Sequence, residues 1–294
     1  MTAFQEAELL QSRLMTDQKS PVHQSAIEPY PLCQPDPAKS CGACCGLYNW
    51  EDHSRGTLTP LLEKRTGLFF AAGQDPEVFQ RAVARELSPS KPKLLETIYN
   101  CEFLGFLDEE KRRVGCLLHP SVNRGRDLRD QCFYGAEICA GHLCPSHTYL
   151  TRAEQKSVLA ALKDWYLYGL VITDIDLVKE FFRHVQTRLG DSLREARLEG
   201  GKTREALRDF FSLKESWKFA SARNRLGKYY FSHSEYRIAR VEYEKNWKLK
   251  ASRFDKILVS LCSDFRTPEE VREAESIVEG EIAGFIKAYE DSSL

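Results

Sequence analysis

The spacing of apolar and polar positions changes character near residue 150. Beyond it, apolar residues recur at three- and four-residue steps, the period that turns one face of an α-helix toward a core. Thr151 and Glu154 form a capping-box pair ahead of Val158, Leu162, Trp165 and Gly169, which share one helical face. Thr173 with Asp176 opens a second helix carrying Ile175, Val178, Phe182, Val185 and Leu189, and Gly190 is placed to supply a left-handed C-terminal cap. Further helices are expected near 204–220, 221–231, 235–248 and 253–262. The clearest start is Thr267-Pro268-Glu269-Glu270. It sets an N-cap, a first-turn proline and two dipole-favoured carboxylates ahead of a run to about Glu290.

Upstream the periodicity fades. Residues 1–30 read as an N-terminal arm with a short apolar stripe at Phe4, Leu9, Leu10 and Leu14. Residues 31–148 are punctuated by glycine and proline and show only modest periodic segments, such as 75–87 and 93–99. Loops that bury little apolar surface can be ordered by metal bonds, whose free energy then belongs to folding. The expected fold is mainly α with an irregular metal-pinned region: a loop-rich cysteine-cluster domain over 31–148, then an α-helical domain over 150–294.

Composition narrows the function. The 294 residues suit one large or two modest domains. Forty-two basic and 43 acidic side chains leave a net charge of -1, so no overall field exists to hold a nucleic acid or an anionic bilayer. Apolar runs such as 68–72 and 167–172 are far shorter than the ~20 residues of a membrane helix. Glu6, Glu8 and Arg13 do not make a secretion signal, and a cytoplasmic address is expected.

Nine of the ten cysteines lie in the first half: Cys33, Cys41, Cys44, Cys45, Cys101, Cys116, Cys132, Cys139 and Cys144. In a reducing compartment, clustered thiols read as metal ligands or redox thiols rather than disulfides. Cys262 stands apart beside Leu258 and Leu261 and reads as core. The strongest motif is Cys41-Gly42-Ala43-Cys44-Cys45-Gly46. A C-x-x-C turn brings two thiolates onto one ion, and the glycines let backbone amides aim at the sulfurs. Consecutive side chains diverge, so Cys45 points to a second metal or a cluster, and nine thiols can supply two four-coordinate sites. His119, His142 and His147 lie at ligand spacing from cysteines and also fit loop-capping or supporting roles. Sulfur ligation suits zinc and an iron–sulfur cluster alike.

CGACC, Cys101-Glu-Phe-Leu, Gly115-Cys116-Leu-Leu and a closing pair of cysteines, taken in that order, resemble the CxxCxxCC cysteine-cluster family over roughly 33–148. The resemblance implies zinc or iron chelation. Cys41, Cys44, Cys45, Cys101, Cys116 and Cys144 sit inside matching local motifs. Cys33 lies further from Cys41 than the pattern has it, His119-Pro120 and Cys139-Ala140 replace arginine-containing pairs, and Cys132 and Cys139 compete for a seventh ligand position.

Other features have blander readings. Arg124 to Asp130 reads as a self-paired turn, and a dithiol oxidoreductase lacks its βαβ context. Leu226-Gly227, Tyr230, Tyr236, Ala239 and Tyr243 match a single tetratricopeptide-like unit, too little for stacking. The aromatics Trp217, Phe219, Tyr229, Tyr230, Phe231, Tyr236 and Tyr243 read as core under a basic rim. The expected function is metal chelation through clustered thiolates. The alternative is a helical module binding a protein partner, with a purely structural metal.

Overall fold

Side chains that accept from free backbone amides mark where most of the longer helices begin. The computed structural model describes residues 31–87, 92–191, 193–198, 200–221, 225–231, 234–237 and 239–292; the N-terminal arm lies outside the described residues. After a 3-10 turn at Ala43–Cys45 come α1 (Arg55–Ala71), α2 (Pro76–Glu86), β1 (Leu104–Phe106), β2 (Val114–Cys116), a second 3-10 turn at Arg129–Gln131, α3 (Gly135–Gly141) and α4 (Ser146–Tyr149). Then follow α5 (Arg152–Ala161), α6 (Trp165–Ile172), α7 (Ile175–Leu189), α8 (Glu195–Leu198) and α9 (Gly201–Ser216). A hairpin of β3 (Lys228–Phe231) and β4 (Ser234–Arg237) precedes α10 (Tyr243–Trp247), α11 (Asp255–Ser260) and α12 (Pro268–Glu290). The described chain is mainly helical, and its strands pair only as the antiparallel ribbons β1–β2 and β3–β4.

The capping box at Thr151 and Glu154 forms, Thr267 caps α12, and Gly190 closes α7 with φ 67°. The expected single helix after Thr151 is instead two. Asp164 accepts from the amides of Tyr166 and Leu167 and starts α6 afresh. Asp174, rather than Thr173, caps α7 through the Leu177 amide. The expected helix at 221–231 and the start of that at 235–248 are replaced by the hairpin, in register Tyr229 with Tyr236. Aromatic runs favour a pleated strand, which removes the tetratricopeptide-like helical pair.

Helix α1, which the sequence reading leaves in a loop-rich region, is buried along Leu58, Leu62, Arg65 and Phe69. Its stripe is blurred by Pro60 inside the helix and by Phe70, 53% exposed on the opposite side.

One core joins the cysteine loop to the later helices: Leu47, Tyr48, Trp50, Leu58, Leu62, Leu104, Phe106, Trp165, Tyr166 and Leu170 pack together. The Tyr48 hydroxyl donates to the Tyr166 carbonyl at 2.9 Å. It lies so close to Gly169 that a Cβ there would sit 2.2 Å from the hydroxyl oxygen.

Buried His53 spans the same region. Its Nε2 accepts from the Arg225 amide at 2.9 Å, so Nδ1 carries the proton and donates to the Trp50 carbonyl at 2.8 Å. Burial, reinforced by the charges of Lys214 and Arg225, pushes its pKa down to about 4. The unfolded chain therefore binds one more proton than the folded one between about pH 6.5 and 4. Stability contributed by neutral His53 is intact above that window and falls by up to roughly 3 kcal/mol across it. Urea midpoints measured from pH 7 to 4 should fall less steeply for His53→Gln than for the wild type; parallel curves would exclude His53 as the acid-sensitive group.

Candidate metal centre

All ten cysteines are free thiols. The CGACC segment folds as a 3-10 turn, and successive residues in such a turn point about 120° apart. Cys44 and Cys45 consequently face different surroundings. Gly46 has φ 78°, and a Cβ on it would come within 2.4 Å of the Tyr99 carbonyl oxygen. Gly42 has an ordinary φ of -118°, and a Cβ there would press on Leu104 and Leu47 methyls at 3.1–3.2 Å. Of the two glycines expected to serve the turn, one is needed for backbone conformation and the other for packing. The Cys41 amide donates to the Cys33 carbonyl and the Cys101 amide to the Cys45 carbonyl, each at 2.9 Å.

Three more cysteines share one local geometry. Cys116, Cys132 and Cys144 each begin a turn closed by an amide three residues on: His119 at 3.2 Å, Gly135 at 3.1 Å and His147 at 3.0 Å to the cysteine carbonyls. Within these turns, amides aim at sulfur: Leu118 and His119 at Cys116, Tyr134 and Gly135 at Cys132, Ser146 and His147 at Cys144. Cys41 receives the Ala43 amide at 3.5 Å. An N–H donor favours thiolate over thiol, and such donors are the usual outer support of a metal-bound sulfur.

The sulfurs fall into two groups. In the first, Cys44 donates to Cys144, and the two line a cavity of about 10 Å³ with Ala43, Ser146, Thr173 and Lys228. Cys33 and Cys41 are their electrostatic neighbours. In the second, Cys101 and Cys139 both donate to Cys132, the latter across a sulfur–sulfur distance of 3.3 Å. Cys45, Cys101, Cys116 and Cys132 share an apolar cluster with Phe69, Phe79, Phe103, Leu117 and Leu118.

Each group is organised around one sulfur. The Cys44 hydrogen bond, with the Ser146 hydroxyl and two amides, lowers the Cys144 pKa to about 7. Hydrogen bonds from Cys101 and Cys139 bring Cys132 down as well. Their donors are held protonated, while burial pushes Cys33 and Cys116 to about 11, Cys45 to about 12 and Cys41 well up.

Among the described residues, no group of three or more His, Cys, Asp or Glu side chains stands as a metal-ion cage. The sulfurs instead meet as hydrogen-bonded pairs. The 3.3 Å contact between Cys132 and Cys139 is shorter than the roughly 3.8 Å edge of a thiolate tetrahedron with ~2.3 Å metal bonds. The donor chemistry fits a soft cation, because eight or nine sulfurs from separate stretches converge without a carboxylate among them.

Beside the second group lies Arg65, which sequence analysis did not single out. It is 6% exposed, donates from Nη1 to the Cys101 carbonyl at 3.0 Å, and has its Nε buried without a hydrogen-bond partner. Among the described residues it forms no ion pair, and the Cys101 thiol is its leading electrostatic neighbour. An arginine in line with Leu58, Leu62 and Phe69 at three- and four-residue steps was the signal for it.

The histidines separate. His119 Nδ1 accepts from the Ser121 amide at 3.1 Å and lies 2.8 Å from its hydroxyl, a loop-capping role. The His147 ring has both nitrogens buried without hydrogen-bond partners among the described residues. His142 is its charge neighbour. Outside the centre, Cys262 is buried as expected, although it sits beyond α11 with φ 54°. Arg129 pairs with Asp127 through two hydrogen bonds, as the self-paired turn requires. Among the described residues, no helix is long and apolar enough to cross a membrane.

No protein-family model matches the chain, and no curated protein or solved structure matches it either.

Proposed function

We propose that this protein binds metal ions, zinc or iron, through its clustered thiolates. The observation that carries the reading is the repeated turn at Cys116, Cys132 and Cys144, with a related contact at Cys41, in which backbone amides point at sulfur. A buried neutral thiol gains little from two amide donors, whereas a thiolate bound to a cation keeps its negative charge and gains from each. Buried Arg65 supports the same reading, since a guanidinium without a carboxylate partner is better accommodated beside an anionic metal–thiolate group than beside neutral thiols. The likeness of the cysteine motifs to the CxxCxxCC cysteine-cluster family leads to the same proposal. When bound, the metal would supply cross-links between loops, or electron transfer if it is an iron–sulfur cluster.

Metal analysis and a visible spectrum of protein purified without oxygen test the proposal. Stoichiometric zinc in a colourless sample, or a brown sample that bleaches on reduction, is the expected result. Absence of bound metal overturns the reading. Full retention of metal in the Cys44→Ser, Cys45→Ser double variant removes the ligand assignment.

A further inference from the structure

Building on the metal-binding reading above, we infer that the thiols form two separate centres, joined by the Cys44–Cys45 peptide bond. One takes Cys33, Cys41, Cys44 and Cys144; the other takes Cys45, Cys101, Cys116 and Cys132. Each centre is a site for one soft cation, or for one cluster held by the same four sulfurs.

The backbone already draws this division. Cys33 is tied to Cys41 and Cys45 to Cys101 by amide-to-carbonyl bonds of 2.9 Å. The 3-10 turn sends Cys44 and Cys45 apart, one toward the cavity it shares with Cys144 and the other into the apolar cluster it shares with Cys101, Cys116 and Cys132. Amide-lined turns are distributed evenly, with Cys41 and Cys144 in the first centre and Cys116 and Cys132 in the second. A single centre would use such turns from one group only and leave the other pair of sulfurs supported without a cation.

Nine thiols exceed the eight that two four-coordinate centres use. Cys139 is the surplus one. It is exposed on the short helix α3 and its thiol touches Cys132, whereas the four assigned to the second centre share one buried cluster. Arg65 faces only this second centre and is its positioning cation.

Native mass spectrometry of the full-length chain, reduced and then loaded with cobalt(II), counts the ions directly. Two ions are expected in the wild type. One should remain in the Cys33→Ser, Cys144→Ser variant and one in the Cys116→Ser, Cys132→Ser variant. Supporting-residue changes commonly cost 10–100-fold in metal affinity, so Arg65→Gln should weaken one of the two cobalt-binding steps by that factor and Arg65→Lys should restore part of it. Because a serine variant can fail to fold, thiol alkylation of the wild type at increasing cobalt supplies an independent readout. Protection should come in the two blocks of four, with Cys139 reactive throughout. One ion in the wild type, protection that mixes the blocks, or a protected Cys139 overturns the inference while leaving metal binding intact. No ion in the wild type overturns the metal-binding reading itself, and the two failures are therefore distinct.

Discussion

Replacing Lys214 with methionine is expected to destabilise the protein by roughly 3–5 kcal/mol, the cost of stranding a buried charge. The Lys214 side chain is fully enclosed and its Nζ donates to Asp174 Oδ2 at 2.5 Å and to the carbonyls of Ser260 at 2.7 Å and Arg225 at 2.9 Å. Asp174 meanwhile caps α7 through the Leu177 amide and accepts from the Ser260 hydroxyl at 2.9 Å. One ammonium thus ties the start of α7 to α9, the end of α11 and the segment before β3. Methionine would fill the same space but leave a carboxylate and two carbonyls without their donor. Pairing Lys214→Met with Asp174→Asn removes the charge and keeps an N-cap acceptor, so the double variant should recover a large part of the loss. Urea denaturation of the three proteins decides the matter. A single variant within about 1 kcal/mol of the wild type would mean that the pair contributes nothing beyond its volume.

The second large effect is expected on removing metal. A cation held only by the folded chain adds about 4 kcal/mol when its free concentration is 1,000-fold above Kd. At 2–4 °C per kcal/mol for larger domains, chelation should lower Tm by about 10 °C. The loss should fall first on the cysteine half, where the loops around Cys101, Cys116, Cys132 and Cys144 have little regular secondary structure. Hydrogen exchange before and after chelation locates it. An unchanged Tm in protein shown to have lost its metal would make the cation a passenger rather than part of the fold.

What could be read in the chain follows from how local each signal is. Thr151 with Glu154, Gly190 and Thr267-Pro268 act on amides within a turn of themselves, and those ends fall where expected. Asp164 was equally local but sat inside an apolar run that already satisfied a helical period, so the break between α5 and α6 was hidden. The β3–β4 hairpin was missed because its aromatics also fit a helical face. For the thiols, adjacency alone argued that Cys44 and Cys45 part company. The grouping of Cys116 with Cys132 and of Cys33 with Cys144 depends on chain reversals that no spacing rule encodes. Arg65 was legible in principle, but its partner lies in a loop 36 residues away.

The order of the thiols along the polypeptide also bears on assembly. Cys45, Cys101, Cys116 and Cys132 all fall between Cys44 and Cys144, so one group is nested inside the loop closed by the other. During synthesis the inner group is complete before Cys144 emerges. Closing an open loop of about 100 residues is entropically costly, and prior closure of the inner group shortens the free chain that the outer one must gather. Nascent chains halted just short of Cys144 would therefore hold the inner core already assembled, with the outer thiols still waiting for their last member.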